Sequence, residues 1–253
     1  MNLLAEYEAQ DQWRDWDAML KRLPIMRGQT VLDLGCGPGL VSARLAARAM
    51  NVIGVDHNAD FINIARRGCP ENCAFLQADL RTIDARIIPH ADGLWSSFAA
   101  AYFPNLSPVL KPWVSRLSPR GWVALVEIDD MWRGHHPLPE DVRAALEDFE
   151  EHSRNQGGYD FRMGRRLVTA CRDIGLIAIS EFRWHDTELA FNGPASAEVL
   201  AAWRRRFARL PVMKAYFGAE RFDQIAVAFL ESISRPDHRS TAAVVMVQAE
   251  RPS

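Results

Sequence analysis

The chain lacks any uninterrupted apolar stretch long enough to cross a bilayer, and no N-terminal apolar run precedes a small-residue cleavage site. A transmembrane span and a secretory leader are therefore not expected, and the chain reads as cytoplasmic, with no membrane partner. Cysteine is scarce: Cys36, Cys69, Cys73 and Cys171 are the four in 253 residues, too few and too scattered for a disulfide framework. Cys69 and Cys73 have neither a second pair nor nearby histidines, so they do not have the spacing of a zinc site. An excess of basic charge is missing as well. Thirty Lys and Arg against 32 Asp and Glu leave a net charge of -2, which supplies no overall attraction to nucleic acid. No stacking platform or zinc module offsets this, and no nucleic-acid partner is expected. Arg204, Arg205, Arg206 and Arg209 are concentrated, but they fall opposite Trp203 and Phe207 on a helix and read as a solvated face.

What is present is a chain with 48% hydrophobic residues, enough to bury a large core, and one dense motif. Val31 to Gly39 read VLDLGCGPG. Val31, Leu32 and Leu34 supply a buried strand. Gly35, Gly37 and Gly39 remove Cβ atoms where the backbone has to turn sharply and approach a ligand, and Leu40 to Met50 follow as a helix whose N-terminus faces that ligand. A dinucleotide fingerprint would place glycine or alanine where Leu40 stands, and would seat a pyrophosphate. Asp33, two residues before the first glycine, would repel that group and favour an ammonium or sulfonium. The cofactor expected is thus cationic, and S-adenosylmethionine fits.

The segment resembles the first motif of the class I S-adenosylmethionine-dependent methyltransferases, and the resemblance continues down the chain. A second strand, Asn51 to Val55, ends in Asp56, placed to accept both ribose hydroxyls, with His57 close to the adenine. A third, Cys73 to Leu76, leads to QADL; the resemblance implies that Asp79 accepts from the adenine amine while the Leu80 amide donates. Cys36 in the loop and Ser97 at the end of the fourth strand complete the expected cofactor set, with S-adenosylhomocysteine as product. Ala91 to Ser97 form that fourth strand, Asn105 to Leu117 a helix, Gly121 to Ile128 the fifth strand, Met163 to Ile174 a helix, Ile177 to Arg183 the sixth strand and Thr241 to Glu250 the seventh. The fold expected is α/β: a doubly wound, Rossmann-like, seven-stranded, mostly parallel sheet with an antiparallel last strand, plus helical insertions forming a lid.

Those insertions divide a single domain into a helical cap at 1–23, a core at 24–190 and 240–253, and added helical segments at 129–162 and 191–239. Leu3 to Leu23 carry Trp13, Trp16, Leu20 and Leu23 at helical spacing. Val142, Leu146 and Phe149 mark a second added helix, and the longest insertion sets Leu200, Trp203, Phe207 and Leu210 on one face and Phe222, Ile225, Phe229 and Ile233 on another. Tyr7, Trp16, Trp132 and Trp203 are the candidate acceptor-binding residues, and such an aromatic lid favours a flat, mostly apolar small molecule.

Methyl transfer is an in-line displacement, served by alignment and exclusion of water, and it needs a base only for some acceptors. Tyr102, Glu127, Asp129, Asp130, His135 and His136 lie past the fourth and fifth strands. Histidine titrates near working pH, so His135 or His136 is the expected base, with Tyr102 beside it. Asp129 and Asp130 with these histidines would suit a divalent ion, as in metal-dependent catechol methyltransferases, but no third ligand accompanies them and no metal is expected. The segment SSFAAAYFP lacks the Asn-Pro-Pro-aromatic and Asp-Pro-Pro-aromatic signatures, and there is no Pro-Cys nucleophile. Adenine-N6 and cytosine-C5 methylation of nucleic acids are therefore disfavoured, and the core strands with Met163 to Leu176 (MGRRLVTACRDIGL) resemble the small-molecule methyltransferases, including those of quinone and natural-product biosynthesis. An RNA or protein methyltransferase and a non-catalytic S-adenosylmethionine-binding protein are the rival readings.

Overall fold

The structure, a computed structural model, describes residues 7, 9, 11–184 and 186–253. Asp15 opens helix α1 (Trp16–Lys21) by accepting a hydrogen bond from the Ala18 amide, one of the amides that a helix start leaves without an internal partner. The rest of the expected helix over Leu3 to Leu23 falls partly outside the described residues. Strand β1 (Thr30–Leu34) runs into the glycine turn, α2 (Leu40–Ala46) follows, and the alternation continues through β2 (Asn51–Asp56), α3 (Ala59–Gly68), β3 (Cys73–Gln77) and β4 (Ala91–Ser97). Helix α4 (Ser107–Val114) is shorter than its expected span, with Pro108 in its first turn and Leu117 already paired to Ala91 as the start of β5 (Leu117–Asp129). Helix α2 also stops early, at Ala46, where the Arg48 amide turns back to the Leu45 carbonyl.

Beyond β5 come β6 (His135–His136), α5 (Glu140–Asn155), α6 (Leu167–Asp173), β7 (Ile177–Trp184), α7 (Ala197–Phe207), α8 (Pro211–Phe217), α9 (Ala219–Ile233), β8 (Arg239–Ser240) and β9 (Ala243–Glu250). Periodicity did not separate α8, which Pro211 starts, from its neighbours, nor the two-residue ribbon of β6 and β8.

The main sheet has the order β3-β2-β1-β4-β5-β9-β7. Strands β1 to β5 pair in parallel, and β9 runs antiparallel to both β5 and β7. Chain order reverses between β1 and β4, and in open α/β sheets ligands lie beyond the strand carboxyl ends at such a reversal. The central strands β1, β4, β5 and β9 are buried on both faces, as the middle of such a sheet is, while the edge strands β3 and β7 are more exposed. Along β5, Trp122, Ala124, Val126 and Ile128 join one core cluster while Val123 and Leu125 join the other, the two-residue alternation of a strand. The first cluster also takes in α1, α5, α7 and α9; the second takes in α4 and α6.

Candidate active site

Around the glycine turn, the backbone is left-handed at Gly35 (φ +74°), Gly37 (φ +53°) and Gly39 (φ +87°), a region that side-chain-bearing residues avoid. A Cβ on Gly35 would overlap Ala99, and one on Gly39 would lie 2.6 Å from Cys69 Sγ. At Gly37 the nearest atom would be on the Tyr7 ring, 3.7 Å away, so the middle of the loop is open on the side that Tyr7 overlooks. Asp56 ties this turn to β2: its Oδ2 accepts from the Gly37 amide at 2.9 Å and its Oδ1 from the Asn58 amide at 2.8 Å. Asp33 is buried and accepts from the Ser42 hydroxyl at 2.5 Å; desolvation outweighs that bond and pushes its carboxyl up to about 7.

Asp79 is on the surface at the end of β3, where Arg81 holds both of its oxygens and brings its carboxyl down to about 2. Leu80 packs half-buried on the second core cluster, and His57 is exposed with Nδ1 3.5 Å from Asp56 Oδ1. The Ser97 hydroxyl accepts from the Trp95 indole at 3.2 Å. Cys36 is buried under Gly54, and its amide is already given to the Val55 carbonyl at 3.1 Å, so it shapes the loop from beneath.

A second group of residues gathers past β4 and β5. Phe98 follows β4 with left-handed backbone (φ +54°), and its amide donates to the Val126 carbonyl at 2.9 Å. The turn Ala100–Tyr102 is held from two sides. Glu127 Oε1 accepts from the Ala101 amide at 3.0 Å, and the Asp160 amide donates to the Ala101 carbonyl at 2.8 Å. This brings Tyr102 edge-on to Tyr159, with ring centres 5.0 Å apart. Above Phe98 stands Arg14, its guanidinium 4.8 Å from the ring centre. Arg14 Nε lies 3.5 Å from Asp186 Oδ2 and its Nη2 lies 3.8 Å from Glu188 Oε2, while Arg206 pairs with the other Glu188 oxygen. Burial raises Asp186 despite Arg14; for Glu188 burial acts in the same sense, but Arg206 and Arg14 together hold it below its ordinary value. The N-terminal segment, the loop after β7 and α7 are thereby joined by charges out of solvent.

Several expectations are corrected here. His135 is fully buried against Phe191, Trp203 and Phe229, with Nδ1 3.0 Å from His238 Nε2. Burial lowers it to about 3, which makes it a weak base at working pH, and its ring packs against insertion side chains, which corrects the expectation that it is the base. His136 is half-buried on the β6–β8 ribbon, opposite Arg239. Trp132 and Trp203 are not a ligand wall. Both have no exposed surface, and Trp132 is surrounded by Phe161, Trp203, Phe207 and Phe229 at ring-centre distances of 5.3 to 5.9 Å. The insertion enlarges the core before it covers anything. Trp16 is likewise buried, edge-on to Trp95 and Phe98. Arg206 leaves the expected solvated face for Glu188. Asp129 and Asp130 are engaged by arginines, Asp129 by Arg165 (2.6 Å) and Arg183 (3.0 Å) and Asp130 by Arg162 and Arg165. Arg14, Phe98, Tyr159 and Asp186 escaped the sequence reading because nothing local marks them. Tyr7 and Tyr102 are exposed, Tyr7 beside the glycine loop and Tyr102 beside the held turn. Among the described residues, no helix is long and apolar enough to cross a membrane.

The sheet order, the antiparallel seventh strand in sequence and the glycine cradle define a Rossmann-like methyltransferase fold. Residues 31–121 match the family model described as a methyltransferase domain. Trans-aconitate 2-methyltransferase of Escherichia coli is 32% identical over 116 residues, covering 45% of this chain and 44% of that protein. The chain thus spans less than half the length of this curated relative. A methyltransferase structure from Bacillus halodurans superposes with a TM-score of 0.61 at 15% identity, covering 94% of this chain and 99% of that one. Phosphoethanolamine N-methyltransferase 2 of Haemonchus contortus, solved with phosphomonomethylethanolamine and S-adenosylhomocysteine, gives 0.57 at 18% identity, covering 95% and 53%. The family match thus lies over residues 31–121, and the likeness to the solved structures is one of fold across nearly the whole chain.

Proposed function

We propose that this chain transfers a methyl group from S-adenosylmethionine to a small, flat acceptor, aromatic or heteroaromatic, seated past the ends of β4 and β5. The observation that carries the reading is the cradle: three left-handed glycines open at Gly37, with the Asp56 carboxylate tied to the Gly37 amide. When bound, the cofactor supplies the electrophilic sulfonium methyl. The chain's own residues do the rest. Asp33 lies behind the loop, Asp56 offers acceptors for the ribose and Asp79 one for the adenine amine, each at a successive strand end. Tyr7 overlooks the loop from the side of the N-terminal segment. Phe98, Tyr102 and Tyr159 replace the tryptophans as the aromatic surfaces for the acceptor, and they align it while the fastened N-terminal segment keeps water out.

Calorimetry with S-adenosylhomocysteine tests the cofactor half. Asp56→Ala is expected to weaken binding by about 1.5 to 3 kcal/mol, the loss of a charge-assisted acceptor; affinity equal to the parent sinks the assignment. For the acceptor half, a metabolite panel of phenols, heteroaromatic alcohols and small organic acids, trans-aconitate among them, is screened for a mass gain of one methyl group. Methylation of organic acids alone would reject the aromatic class.

A further inference from the structure

Among the described residues, Glu127 is a carboxylate near the carboxyl ends of β4 and β5 that combines complete burial with an unused oxygen. Its exposure is 0%, and while Oε1 holds the Ala101 amide, Oε2 has no hydrogen-bond partner among the described residues. A dry oxygen left unbonded is costly unless something meets it. It stands one residue beyond Val126, which pairs with Ser97 at the end of β4, and beside the turn that carries Tyr102.

We propose, building on the acceptor position given above, that Glu127 recognises the acceptor: its Oε2 carries a proton and donates a hydrogen bond to a lone-pair-bearing oxygen or nitrogen of the acceptor other than the atom that is methylated. The acceptor class is then one that presents a carbonyl, carboxylate or phenolate there, and excludes one that presents an ammonium. Among the described residues no cation forms an ion pair with Glu127. Desolvation, opposed by the backbone amides of Ala101, Ala100 and Ile128, pushes its carboxyl up to about 8, so it is a neutral donor at neutral pH. The ionisable groups that act on it or feel its charge are the exposed Tyr102, Tyr159, whose hydroxyl burial raises, and Asp160, which is ion-paired to Arg166; Arg14 and Arg206 oppose the rise at Tyr159. A protonated donor aimed at the methylated atom would occupy the lone pair that attacks the methyl group, which is why the bond goes to a neighbouring atom.

The test uses a matched pair of probes, benzoate and benzylamine, titrated into the full chain saturated with S-adenosylhomocysteine. Benzoate is expected to bind and benzylamine to fail. Benzoate affinity should stay level up to about pH 8 and then fall about tenfold per pH unit as Glu127 ionises. Glu127→Gln keeps an acceptor for the Ala101 amide and an N–H donor, so it should retain benzoate binding and lose the pH break. Glu127→Ala should lose about tenfold or more at neutral pH. A merely structural role for Glu127 predicts no break in the parent. Benzylamine binding as well as benzoate, no benzoate binding, or a break that survives in Glu127→Gln overturns the proposal. Failure of S-adenosylhomocysteine itself to bind these samples would instead overturn the functional reading on which it rests.

Discussion

The two halves of this sheet are built on different terms. On the side of β1, β2 and β3, the groups proposed to meet the cofactor, the glycine backbone and the short carboxylates of Asp33, Asp56 and Asp79, are each at or near the end of their own strand. On the side of β4 and β5, the surroundings are contributed by segments far apart in sequence: Arg14, Phe98, Glu127, Tyr159, Glu188 and Arg206. The first half is a local device that a short motif can encode. The second exists only when the insertions have packed, and its aromatic residues are spent first on that packing. Removing a core aromatic should therefore damage the molecule without touching the cradle, and altering the cradle should do the reverse.

The largest effect is expected from Trp132→Ala. The ring is fully buried among four other aromatics, so its loss should destabilise the chain by about 3 to 5 kcal/mol, read as a shifted urea midpoint. S-adenosylhomocysteine affinity of the remaining folded protein should match the parent. A large loss of affinity would show that the two halves are not separable in this way.

Gly39→Ala approaches the same comparison from the cradle. At φ +87° the substitution costs about 1 to 2 kcal/mol in backbone strain, and its Cβ would meet Cys69 Sγ at 2.6 Å and Ala65 Cβ at 3.0 Å. Binding of S-adenosylhomocysteine should weaken about tenfold or more as the loop shifts to relieve the contact. Cys69→Ala added to it should restore part of that loss, since the nearest clash is with the sulfur. Independent, additive effects of the two changes would reject the steric account.

The same contrast explains what the sequence made legible. Seven strands and the acidic strand ends were readable because each depends on neighbours a few residues away: apolar runs, glycines, a terminal aspartate. Helix ends were less so. Pro108 and Pro112 in α4 and the early pairing of Leu117 were decided by the strand next door. Periodicity found the buried faces of α5, α7 and α9 through Leu146, Trp203 and Phe229, but an apolar stripe is the same whether it faces a core or a ligand, and here it faces a core. His135 was misassigned for a related reason. Its ordinary titration range suits a base, and only the tertiary fold shows that Phe191, Trp203 and Phe229 enclose it.

The smallest effect is read by pH and separates two buried groups within the second half. His135 is kept neutral by burial, with a value of about 3 against 6.5 when unfolded, so the unfolded chain binds the extra proton first. Its contribution to stability is present above 6.5 and is lost as pH falls towards 3. Asp33, Glu127 and Glu150 do the opposite: burial holds them protonated up to about 7, 8 and 8, so the stability they allow is complete below their ordinary values and is lost as pH rises through those figures. His135→Phe retains a ring against Trp203 and Phe229, costs about 1 kcal/mol at neutral pH through the bond lost to His238, and should flatten the acid limb by up to about 1.4 kcal/mol per pH unit. The alkaline limb should be unchanged. Glu127→Gln should flatten the alkaline limb and leave the acid one alone. Urea midpoints from about pH 4 to about pH 9 read both limbs in one series. An acid limb as steep in His135→Phe as in the parent would move that proton to another group, with His238, which burial also lowers, as the next to remove.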